Sequence, residues 1–147
     1  MRYLLLLLLA LTACSQAKDS RPIPENIHTI TWDSGSTGMI NDTFRFSLRG
    51  HKAPSLKAGD CHAEYKKAVE ARKFMTLLTQ DISTVKVEKI LKPNADKIYP
   101  VVISQAGHDL GVLGLEWGHL KPIPSHTIAQ LDWCSDEGPE QITEISQ

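Results

Sequence analysis

Seven of the 17 leucines in this 147-residue chain fall within its first 13 residues. The run Leu4 to Leu9 follows Met1-Arg2-Tyr3 and its single positive charge. It is too short to cross the ~30 Å hydrocarbon core of a bilayer as a comfortable helix. A basic start, a short apolar stretch and small residues behind it form the pattern of a cleaved signal peptide, placed here at residues 1–13. What is left to fold is 134 residues, the size of one domain. That length excludes a two-domain enzyme and suffices for one core. The remainder carries 15 basic and 17 acidic residues, a net charge of −2. Non-specific phosphate binding needs a clear cationic surplus, so a tail-driven nucleic-acid binder is excluded, although a local basic groove is not.

The leucine run closes in Leu11-Thr12-Ala13-Cys14, which resembles the lipobox of bacterial lipoproteins. The resemblance implies cleavage before Cys14, a diacylglycerol on its thiol and an acyl chain, palmitate for example, on the new amine. Several chains on one residue give the stable anchoring that a single myristate lacks. The partner so implied is the lipid bilayer, reached through Cys14. Ser15 stands where an aspartate would favour the inner membrane, which points to the outer membrane of the cell envelope. Residues 14–26, with Lys18, Asp19, Arg21, Pro22 and Pro24, read as a flexible tether.

Once Cys14 is acylated, Cys61 and Cys134 remain as an even pair in an oxidising compartment. A disulfide is expected there in preference to two buried thiols. It closes a loop of about 73 residues, worth roughly 4 kcal/mol in the chain-entropy model. It also ties residues 121–147, read as a C-terminal extension, to the middle of the domain.

Phe44-Arg45-Phe46-Ser47-Leu48-Arg49 alternates with strict period 2, with the aromatics and Leu48 on one face and Arg45, Ser47 and Arg49 on the other. Weaker strand patterns cover Ile27 to Trp32, Val85 to Leu91 and Pro100 to Ile103. Asp33 to Gly38, Pro93-Asn94 and Gln105 to Gly107 read as turns. A helix is expected after Gly59, capped by Asp60, with Cys61, Tyr65, Ala68, Ala71, Met75 and Leu78 as its core stripe. A shorter helix is expected after Asp109, through Leu110, Val112, Leu113, Leu115 and Trp117, ending at Gly118. Its glycines at 111 and 114 make it poor by propensity, so packing must hold it. Strands, helix, strands, short helix is an α+β order rather than a βαβ repeat.

Five pieces of sequence between about Gly38 and Leu120 resemble, in order, the thermonuclease (staphylococcal-nuclease-like) family. They are Asn41-Asp42-Thr43-Phe44, Gly50-His51-Lys52-Ala53-Pro54-Ser55, Gly59 to Glu64 with its helix, Asp96 to Pro100, and Gly107 to Gly111 with Leu115-Glu116-Trp117. The resemblance implies a small five-stranded OB-type β-barrel packed with helices, over residues 27–120. It also implies a site in which two aspartates hold a calcium ion, a glutamate positions water and two arginines bind phosphate. Carried over position by position, the first aspartate is Asp42. The second falls on Lys52, the glutamate on Ser55, and the arginines on Ser47 and Pro100. A register slip of two would put Arg45 or Arg49 on the arginine position. An ammonium at Lys52 repels a cation and is expected to pair with Asp42, so no metal, cofactor or catalytic set is expected. Calcium enters only in an alternative reading.

The six histidines, at 28, 51, 62, 108, 119 and 126, include no helical i, i+4 pair, which reads as packing or solvation rather than zinc. No Gly-x-Ser-x-Gly context supports a serine hydrolase. Trp32, Trp117 and Trp133 read as core or edge residues. Arg45, Arg49 and Lys52, followed by Lys57, form a basic strand face that is either solvated or a contact surface for an anion or nucleic acid. The leading expectation is a lipid-anchored envelope protein with a degenerate thermonuclease-like domain acting as a non-catalytic binding module. The alternatives are a remodelled metal-dependent nuclease or phosphodiesterase using Asp42 with Arg45 and Arg49, and a purely structural envelope component.

Overall fold

The computed structural model describes residue 24 and residues 26–57, 61–123 and 131–134. The signal peptide, Cys14, nearly all of the tether, Asp60 and His126 lie outside the described residues. The fold is mixed α+β, with one large sheet and two α-helices. The strands are β1 Ile30–Trp32, β2 Thr37–Ile40, β3 Phe44–Leu48, β4 His51–Lys52, β5 Val85–Ile90, β6 Tyr99–Gln105, β7 His108–Asp109 and β8 Lys121–Pro122. Helix α1 spans His62–Leu78 and α2 spans Leu110–Glu116.

The large sheet runs β1-β2-β3-β6-β5, with β7 on β6, while β4 pairs with β8 in a separate ribbon. β1, β2 and β3 form an antiparallel meander, and β6 lies parallel to β3. The period-2 pattern of β3 explains its central place. Phe44, Phe46 and Leu48 are buried, while Arg45 is exposed on the opposite face. Trp32 packs edge-on to Phe46 at 5.2 Å between ring centroids, and Phe44 stacks on Tyr99 at 4.7 Å. Ile40, Met75, Val101, Ile103, Leu110 and Leu120 complete the core. β1 and β5 are the edges, and the described strands form no closed barrel.

Asn41 and Asp42 turn β2 into β3 with φ of 50° and 56°. Asn and Asp tolerate this left-handed region better than other non-glycine residues. The Asn41 amide then ties the hairpin to the chain before β1, accepting from the His28 N–H and donating to the Asn26 carbonyl. This turn was not expected from the sequence, and it gives Asp42 a backbone role. The expected turn at 33–38 is shorter than read, because Thr37 and Gly38 belong to β2. A Cβ at Gly38 would lie 2.3 Å from the Thr31 carbonyl oxygen and 3.0 Å from the Phe46 ring, so the glycine admits both neighbours.

Helix α1 is capped by Cys61, whose Sγ accepts from the Glu64 N–H at 3.3 Å. This corrects the assignment of the cap to Asp60. Ala68, Ala71 and Met75 of the expected stripe are fully buried, but Tyr65 is 48% exposed and Ala63 takes the inner position. Asp109 caps α2 as expected, accepting from the N–H groups of Gly111 and Val112. Gly114 explains how so poor a helix holds: a Cβ there would meet Leu120 and Met75 at 2.6 and 2.7 Å. No helix among the described residues is long and apolar enough to cross a membrane.

Gly38→Ala tests this packing. The obstacle is backbone in the adjacent strand and cannot swing aside, so the variant should lose about 3 kcal/mol, the upper end for overpacking. A urea titration read by circular dichroism measures it.

Candidate functional site

The turn between β1 and β2 is built from short hydroxyl side chains. The Ser34 Oγ accepts from the N–H groups of Ser36 and Thr37, both at 3.1 Å, and bonds the Thr37 hydroxyl at 2.8 Å. The N–H groups of Asp33 and Ser34 donate to the Thr37 carbonyl. Ser36 points inward and is buried, and its Oγ accepts from the Ala53 N–H at 3.0 Å. The Ser36 carbonyl accepts from the Leu48 N–H at 2.8 Å. One serine thus ties the turn both to the end of β3 and to the chain leaving β4. Gly35 lets this turn press on α1, since a Cβ there would lie 2.6 Å from that of Ala71.

The chain after β4 forms the facing wall. The Ser55 N–H donates to Glu64 Oε1 at 3.0 Å, which fixes that segment to the first turn of α1. A third wall comes from the far end of the chain. Leu131–Cys134 lies here because Cys134 is disulfide-bonded to Cys61, with 6.1 Å between Cα atoms. The expected disulfide is therefore present. Trp133 is 3% exposed, its carbonyl accepts from Lys67 Nζ at 3.1 Å, and Lys121 Nζ sits 4.5 Å from the centre of its ring. Lys121 Nζ also donates to the Asp132 carbonyl.

These walls enclose an open cleft of about 1030 Å³. Its charged lining is Arg45, Lys52 and Lys57 against Asp33, Glu64 and Asp132. The carboxylates hold walls in place: Glu64 takes the Ser55 N–H and Asp132 Oδ1 takes the Cys134 N–H. Ser34, Thr37 and Ser55 add hydroxyls, and Leu56 and Leu131 add apolar surface.

The structure brings together part of the expected site. Arg45 and Lys52 share the cleft with Lys57 and Ser55, but Arg49 is exposed beyond the end of β3 and does not line it. Asp42 lies in the β2–β3 turn, also outside the lining, and the carboxylates that share the cleft with Lys52 are Asp33, Glu64 and Asp132. Ser47 and Pro100 are register partners in the parallel β3–β6 pair. Among the described residues, no three His, Cys, Asp or Glu side chains are grouped to hold a metal ion. The sequence reading missed Asp33, Ser34, Ser36 and Thr37 as cleft residues, and Asp132 with Trp133. A turn rich in Ser and Thr was visible, but not the side of the sheet it would face. The proximity of Trp133 to Cys134 was the one available signal for the third wall.

Compared with models of known protein families and with curated proteins, the chain matches none.

Ser36→Ala is expected to cost about 1–3 kcal/mol, because it leaves the buried Ala53 N–H without its acceptor. Thermal unfolding measures the loss, and Ser34→Ala at the more open position should cost less.

Proposed function

We propose that this protein is an outer-membrane-anchored envelope lipoprotein, held through acylated Cys14, whose folded domain is a non-catalytic binding module for anionic ligands. The observation that carries the reading is the cleft itself. Arg45, Lys52 and Lys57 line one concavity whose carboxylates Glu64 and Asp132 are already engaged by backbone N–H groups.

The finer fold reading is a degenerate thermonuclease-like, OB-type barrel, partly open. Three features support it. A three-strand meander is extended by a parallel strand, α1 lies in the crossover, and the order is that of a partly open Greek key. Lys52 and Ser55, the positions read as the family's aspartate and glutamate, share one cleft. Ser47 and Pro100, the positions read as its two arginines, are paired neighbours.

The residues present do not fit the calcium ion that this family would imply. Asp42 lies in a hairpin turn outside the cleft, Lys52 brings an ammonium, and Ser55 supplies a hydroxyl where a carboxylate would be needed. Calcium prefers six to eight oxygens and several negative charges, and a lysine among them repels it. No step of hydrolysis is therefore assigned to these residues, and the cleft is read as a place where an anion is held.

Two measurements test the reading. Cys14→Ala should leave the protein unprocessed or release it from the membrane fraction, and unchanged maturation and fractionation would refute the anchor. For the cleft, the soluble domain should bind pyrophosphate or a short oligonucleotide without cleaving it, with or without calcium. Arg45→Ala and Lys52→Ala should each weaken binding about tenfold, a typical loss for one charge-assisted contact of about 1.4 kcal/mol. Calcium-dependent cleavage abolished by Asp42→Ala would replace this reading with the remodelled nuclease.

A further inference from the structure

The disulfide joins two places that differ in chemistry. Cys134 lies in the Leu131–Cys134 strap, which forms one wall of the cleft. Cys61 is the N-cap of the 17-residue helix α1, and its sulfur already accepts the Glu64 N–H. Ser, Thr, Asp and Asn are the preferred residues at an N-cap, so a cysteine there forgoes a better oxygen acceptor. Both cysteines are half-buried.

We propose that Cys61–Cys134 is a redox-active latch: a dithiol reductant opens it, Cys61 leaves as a helix-stabilised thiolate, and the strap releases its side of the cleft. The reaction is an ordinary exchange. A thiolate of the donor attacks Cys134 Sγ, a mixed disulfide forms, and the Cys61–Cys134 bond breaks with its electron pair on Cys61. The second thiol of the donor then displaces Cys134. Two electrons and two protons pass to the protein in total, and the donor leaves as a disulfide.

Attack falls on Cys134 because the better leaving group is the thiolate that is better stabilised. At Cys61 the positive end of the helix dipole and the Glu64 N–H both favour negative charge. The Glu64 carboxylate in the same turn opposes this, but it accepts the Ser55 N–H, and Lys52 and Lys57 line the cleft beside it. His62 follows directly as the first helical residue and adds no negative charge. Stabilising the reduced form makes a disulfide easier to reduce.

The strap is the element that reduction can move. Trp133 lines both the cleft and a second cavity of about 340 Å³ beside Lys67, Trp117, His119 and Lys121. It is therefore the partition between two concavities. With the disulfide open, its departure is opposed by contacts that include the burial of Trp133 and the bonds from Lys67 and Lys121, and the two concavities join when it leaves.

The experiment uses the mature protein and needs no ligand, so its failure and the failure of the anion-binding reading are separable. Cys61→Ser keeps an oxygen cap and Cys134→Ser keeps the sulfur cap, so both should fold. In Cys134→Ser the Cys61 thiol should alkylate with iodoacetamide at neutral pH about threefold faster than Cys134 does in Cys61→Ser, because a dipole effect near 1.4 kcal/mol raises the thiolate fraction about tenfold while the lower nucleophilicity of the stabilised thiolate takes back about threefold. In a Trp117→Phe background, dithiothreitol should make Trp133 accessible to iodide quenching while circular dichroism of the fold is retained. Equal alkylation rates would overturn the leaving-group assignment. A disulfide reduced only on global unfolding, or a Trp133 equally protected before and after reduction, would overturn the latch.

Discussion

The parallel pairing of β3 with β6 is the constraint on which the rest of this molecule depends. A parallel pair cannot be closed by a hairpin, so the chain must leave the sheet and return, and here the excursion contains α1 and β5. β3 is the strand with the strongest alternation, and Phe44, Phe46 and Leu48 give β6 a buried face to join, met by Val101 and Ile103. The same pairing fixes the outer face. Arg45 stands beyond the buried row, and the chain after Leu48 delivers Lys52 and Ser55 to the cleft while Leu48 itself bonds back to the Ser36 carbonyl. Core and cleft are two faces of one strand.

Three cations face three carboxylates in the lining of the cleft, which alone would suggest a neutral surface. Glu64 and Asp132, however, accept backbone N–H groups that hold two of the walls. These bonds fix where the two negative charges sit without removing them, so the lining stays balanced in sum and an anion is favoured only where Arg45, Lys52 and Lys57 group locally. This also explains why the chain's near-neutral net charge excluded a general polyanion binder and still left room for a local site.

Long elements with an unambiguous period were legible in the sequence: β3 from its alternation, most of α1 from its alanines, β5 and β6 from their apolar residues, and α2 from the Asp109 cap. So was the disulfide, because two cysteines were left in an oxidising setting. The α+β class followed from the order of elements. What escaped was local. Asp42 was placed on the family's first aspartate by the resemblance alone, and the left-handed turn that the Asn41-Asp42 pair supplies carried no signal of its own. Arg49 read as a partner of Arg45 because alternation was carried one residue past the strand, where Gly50 at φ 74° redirects the chain. The two-residue strands β4, β7 and β8 are set by tertiary pairing and carry no period of their own.

The C-terminal strap shows why a cleft residue can lie where sequence pattern is silent. The sequence around Leu131 and Cys134 shows no periodic apolar pattern that would mark it as part of the domain. The strap's position rests on a covalent bond to Cys61 and on one large side chain, Trp133, seated against Lys121. The covalent bond removes most of the freedom that docking would otherwise have to overcome, and the indole burial then sets where the strap lies. Each is incomplete without the other. The bond alone leaves the strap free to pivot about Cys134, and the indole alone must recruit a segment distant in sequence against the entropy of closing that loop. A wall of the cleft thus depends on the oxidation state of two sulfurs, and the helix that caps one of them links that wall to the core through Ala68, Ala71 and Met75.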